Sequence, residues 1–145
     1  MSELIDNTIQ LVEKFNDSIR SDLSSKNIDN SGEASNSIRI ESTKNSVTSL
    51  GVDYLYYLDQ GRGAGKFPPV DEIVKWVATK AVSISPYLVG RKIAREGTEI
   101  FKDKSRGIQL DQKRKILLDE INQNAAKWAA ADVLVLIKQS NKKLK

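Results

Sequence analysis

The chain has neither cysteine nor histidine in its 145 residues. Without cysteine there is no disulfide framework, no thiolate zinc site and no thiol nucleophile; without histidine every imidazole mechanism is gone. The chemistry left open is that of carboxylates, lysine or serine, and of carboxylate-bound magnesium or calcium. A cysteine-free chain also fits folding in a reducing cytoplasm. No apolar run approaches the ~20 residues needed to cross a bilayer, so no membrane partner is expected. The opening MSELIDNTIQ places acidic residues early and has no continuous apolar core, so it does not read as a secretory signal. These absences point away from an enzyme and towards a protein that acts by contact.

What is present is ordinary for a folded domain: 39% hydrophobic and 29% charged residues. The length suits one domain over residues 1–145 with a single modest core, and no internal repeat divides it. Net charge is +4 but unevenly spread: residues 1–90 carry 9 Lys+Arg against 12 Asp+Glu, and residues 91–145 carry 14 against 7. That asymmetry suits nucleic acid or an acidic protein partner; equally, it suits a solvated helical surface with a lysine-rich tail at 140–145.

Periodicity predicts the elements. Ile5, Thr8, Val12, Phe15, Ile19 and Leu23 recur at helical spacing, with Ser2 placed to cap the start. Residues 24–37 are polar, with only Ile28 and Ala34 to bury, and read as a long loop. Ser37–Glu41 and Asn45–Leu50 alternate as two strands of an antiparallel hairpin. Val52–Leu58 fits a third strand or a short helix equally: Tyr54, Tyr56 and Leu58 share a strand face, Tyr54, Leu55 and Leu58 a helix face. After a glycine-rich turn, Pro69, Asp71 and Glu72 open a helix whose buried stripe is Val70, Ile73, Val74 and Val77, closed by Lys80. Pro86 opens another, interrupted near Gly97 and resumed through Ile100 and Phe101. Its Gly90 and Gly97, seven apart on one face, permit close backbone approach. A final helix runs from about Asp111 to Gln139, with Val133–Ile137 also compatible with a strand.

The segment QGRGAGKF invites a phosphate-loop reading and fails it. The glycine required five residues before Gly65 is Gln60, the Ser or Thr required after Lys66 is Phe67, and two prolines follow where helix should begin. The dinucleotide pattern fails as well, because its third glycine falls on Lys66. Asp71/Glu72 and Asp119/Glu120 are adjacent pairs that point about 100° apart on a helix, so neither converges on one proton or metal. Trp76 and Trp128 read as core or interface residues. Lys113-Arg114-Lys115 and the Lys142–Lys145 tail are basic clusters able to touch DNA phosphate nonspecifically, without the interleaved aromatics of a single-strand groove. No cofactor or metal site is expected.

The motif as a whole runs Tyr54-Leu55-Tyr56-Tyr57-Leu58-Asp59-Gln60-Gly61-Arg62-Gly63, then Gly65-Lys66-Phe67-Pro68-Pro69-Val70 and Ile73-Val74-Lys75-Trp76. It resembles the neck and tail-completion (minor tail) family of tailed bacteriophages, in which a tyrosine-containing segment leads through an acidic residue and a glycine turn to a Pro-Pro-started helix with tryptophan. Ser31–Ile38 is similar to that family's entry to its first strand, with Ser31 and Ala34 in place of its usual threonine and leucine. Leu88–Thr98 is similar to its helix ending in Gly-Thr. The resemblance covers residues 31–101. It implies an α+β fold, a small antiparallel sheet of three to four strands packed against helices with long N- and C-terminal helices. It also implies a virion protein forming a ring of six or twelve copies at the head–tail junction, next to connector, portal or tail-tube proteins. The turn residues Asp59, Gly61, Arg62, Gly63, Gly65, Lys66 and Phe67 are the expected assembly contact. The alternative function is that of a small basic nucleic-acid-binding protein.

Overall fold

Apolar residues at three- and four-residue intervals give the first helix of the computed structural model, which describes residues 2–29 and 31–143. Helix α1 spans Glu3–Ser25. It is followed by α2 (Glu33–Ser37), strands β1 (Arg39–Ser42) and β2 (Val47–Leu50), and α3 (Leu55–Gln60). Then come α4 (Val70–Lys80), α5 (Pro86–Glu96), the short α6 (Glu99–Lys102), a 3-10 turn at Lys104–Arg106, and α7 (Leu110–Lys143). The chain packs as two compact units: Met1–Ser18 with Arg39–Leu50 and Asp111–Lys145, and Ile19–Ile38 with Gly51–Leu110.

In the first unit α1 and α7 run antiparallel. Ser2 Oγ accepts from the Ile5 amide at 3.1 Å, the cap its position predicts. Asp132 on α7 completes that start by accepting from the Glu3 amide at 2.7 Å, the Ser2 hydroxyl at 2.9 Å and the Leu4 amide at 3.2 Å. These donors, the Glu3 amide foremost, hold the Asp132 carboxyl below its usual range. Further along the pair, Lys14 Nζ meets Glu120 at 3.1 Å.

Among the described residues the sheet has two strands, not three to four, in the register Arg39↔Leu50 to Ser42↔Val47. A lone hairpin is marginal in water; here Ser49 Oγ donates to the buried Asn16 Oδ1 of α1 at 2.5 Å. No third strand forms at 52–58, because the backbone turns there: Leu55 N donates to Val52 O at 3.1 Å and Tyr57 N to Tyr54 O at 2.9 Å. Helix α3 results, with Tyr54, Leu55 and Leu58 half-buried and Tyr56 and Tyr57 exposed.

In the second unit the polar 24–37 segment is not a plain loop. The Asp29 carboxylate accepts from the Ser35 amide at 2.9 Å and the Ala34 amide at 3.4 Å, which starts α2 and buries Ala34 completely. Helix α4 buries less than its stripe predicts. Ile73 is buried, whereas Val70 and Val74 remain 48% and 47% exposed. Helix α4 ends on Ala81 at φ 52, the left-handed position that favours glycine. Ala81→Gly should therefore stabilise the protein by about 0.5–1 kcal/mol, measured by urea unfolding. In α7, Val133–Ile137 are helical. Of the basic tail, Leu144 and Lys145 lie outside the described residues.

Candidate functional site

The glycine turn belongs wholly to the second unit: Asp59 sits in the last turn of α3, and the other six predicted residues, Gly61 to Phe67, lie in one loop laid on α5 and α6. Arg62 N donates to Thr98 Oγ1 at 2.9 Å, Thr98 N returns a bond to Arg62 O at 2.9 Å, and Gly65 N donates to Ala94 O at 2.8 Å. Gly90 in α5 and Gly97 at its C-cap make this approach feasible. A side-chain carbon at Gly90 would crowd Phe67 (2.7 Å from its Cε1) and Ile73 (2.9 Å), and one at Gly97 would lie 2.9 Å from Arg62 O. Phe67 stacks on Tyr87 with ring centroids 5.5 Å apart. The turn is therefore a fixed backbone.

The predicted residues divide by depth. Asp59 and Gly61 are buried, Arg62 and Gly63 half-buried, and Gly65, Lys66 and Phe67 exposed. Asp59 is spent inside the fold. Its Oδ1 accepts from Leu110 N, the first residue of α7, at 2.9 Å, while Oδ2 accepts from Gln60 Nε2 at 2.9 Å. Leu58 O alongside accepts from Ile108 N at 3.1 Å. Asp59 and Gly61 thus shape the turn, and Lys66 and Phe67 present it. Arg62 carries its guanidinium 5.6 Å from the centroid of the Tyr57 ring.

Of the amides a phosphate cradle would draw on, those of Arg62 and Gly65 are donated within the fold. The carboxylates do not gather either: Glu72 pairs with Lys75 at 3.4 Å, and among the described residues no three metal-ligating side chains cluster. A cleft of about 430 Å³ is lined by Lys26, Ile28, Glu99, Ile100, Ser105 and Arg106. Its cations are occupied. Lys26 Nζ donates to Gly107 O, Ser105 O and Gln109 Oε1 at 2.6–3.2 Å, and Arg106 pairs with Glu99 at 3.6 Å and Asp103 at 3.7 Å.

No family model, characterised protein or solved structure matches this chain.

Sequence reasoning missed two surfaces. On the second unit, the Tyr54 hydroxyl stands among Glu33, Asp29 and Glu72. Burial, and then these carboxylates, push its pKa up to about 12. On the first unit, Val133–Ile137 of α7 are each 50–62% exposed. The unbroken apolar run at 133–137 was the available signal for the second surface, because neighbouring helix residues point in different directions. The first surface joins residues from three separate segments and has no local signature. No described helix is long and apolar enough to cross a membrane.

Proposed function

We propose that this chain is a structural virion protein that forms an oligomeric ring at the head–tail junction of a tailed phage, joining a portal-side connector to the tail. The observation that carries the reading is a turn rigid in its backbone yet open in its side chains. The Arg62 and Gly65 amides donate within the fold, while Lys66 is exposed and Phe67, stacked on Tyr87, leaves part of its ring open. A pre-organised loop of that kind loses little entropy on docking, which suits an assembly contact. The resemblance of residues 31–101 to the phage family supplies the biological place, with virion neck proteins as neighbours. The large apolar residues left exposed on α4 and α7 fit a chain completed by partners.

The test is charge reversal at the turn. Arg62→Glu with Lys66→Glu should weaken the contact by about a hundredfold, since like charges across an interface cost several kcal/mol. Heads and tails should then accumulate unjoined under electron microscopy, while the purified variant keeps its melting temperature within about 2 °C. Normal particles carrying the variant would refute the reading. Tight duplex binding with a steep salt dependence would favour a nucleic-acid-binding protein instead.

A further inference from the structure

The two surfaces missed in sequence are opposite in character. At the end of α7, Val133, Leu134, Val135, Leu136 and Ile137 are consecutive; at 100° per residue they cover the whole helix circumference. Beyond them come Lys138, Lys142 and Lys143, all exposed, and no acidic residue follows Asp132. This is an apolar helical post with a cationic end. The other surface is anionic and aromatic. The hydroxyl of Tyr54 lies beside Glu33, with Asp29 and Glu72 around it. Trp76, 40% exposed, sits one helical turn from Glu72 on the same face of α4. Glu33 and Glu72 are exposed, and the Lys75 pairing of Glu72 is a surface pair of little strength.

We propose that the Val133–Lys143 end of α7 in one copy docks on the Tyr54–Glu33–Glu72–Trp76 face of a second copy, head to tail. The inference deepens the ring reading and rests on it for the closure of the contacts. The chemistry matches point by point. Tryptophan and tyrosine are the residues that anchor interfaces, and they face the apolar post. The lysines reach the carboxylates and the aromatic faces. Each docked copy keeps one free post and one free face, so the contact propagates and can close on itself. Two α7 ends paired in parallel would set like lysines against each other, which favours the heterologous arrangement.

The absence of cysteine makes a clean test. Full-length chains carrying Leu136→Cys alone and Lys75→Cys alone are mixed and treated with a short bismaleimide. The mixture should give a cross-linked dimer that neither variant gives by itself. K138E/K142E/K143E and, separately, E33K/E72K should each weaken self-association by about a hundredfold in analytical ultracentrifugation, and mixing the two should restore it. The contact is overturned if Leu136→Cys links to itself, if the mixture stays uncross-linked, or if the unaltered chain binds anionic vesicles without associating. Virions assembled normally with K138E/K142E/K143E would sink this contact and leave the ring reading standing. A chain that self-associates as described but is missing from virions would sink the phage reading alone.

Discussion

Gly61→Ala should remove about 3 kcal/mol or more of stability and lower Tm by roughly 10 °C. Two causes add. Gly61 sits at φ 74, ψ −179, a conformation costing a residue with a Cβ about 1–3 kcal/mol. The new carbon would also overlap the Phe101 amide and lie 2.7 Å from both Phe101 Cα and Thr98 Oγ1, so α6 would have to move. Gly65→Ala is the control. Gly65 has φ +120 but nothing within 4 Å of an added carbon, so only the torsional part should be lost. Chemical denaturation of both variants checks the pair; equal losses would mean that the contact with α6 contributes nothing.

Asp59→Ala should cost about 2–3 kcal/mol, again by denaturant unfolding, because it leaves the Leu110 amide without its acceptor where α7 begins. Asp59→Asn keeps an oxygen acceptor and should cost about 1 kcal/mol. Amide exchange at Leu110 separates this account from general loosening. It should accelerate in the alanine variant while Gly65, bonded to Ala94 O, stays protected. For the assembly reading the result matters in another way. Loss of assembly with Asp59→Ala would be indirect, through a displaced turn, whereas on that reading the half-buried Arg62 and the exposed Lys66 would make the contact themselves.

How much of this could be read from residues alone depends on how local each cause is. The hairpin, the proline-started α4 and α5, the break at Gly97 and the long last helix follow from periodicity, caps and breakers within a few positions. The Gly90–Gly97 spacing announced a close approach, although not that residues 62–67 would be what approaches. The 52–58 segment satisfied both periods, and backbone turns at Val52–Tyr54 decided for helix. Helix α2 was hidden because its cap, Asp29, lies outside it. The stripe of α4 was read as buried because Val70 and Val74 are apolar, yet apolarity does not say what does the covering; within this chain they stay half open. Asp59 looked like a surface residue of the turn, and only the fold brings Leu110 to it across 51 positions.

The antiparallel pairing of α1 with α7 sets an order of events during synthesis. Residues 2–14 precede Glu120 and Asp132, which they bond, by 106 to 130 positions. At common elongation rates that is a wait on the order of ten seconds. Residues 51–110 are complete only shortly before then. The first helix therefore gains its distant partner only once residues 120–132 have been made, a slow closure set by loop length rather than by any local propensity.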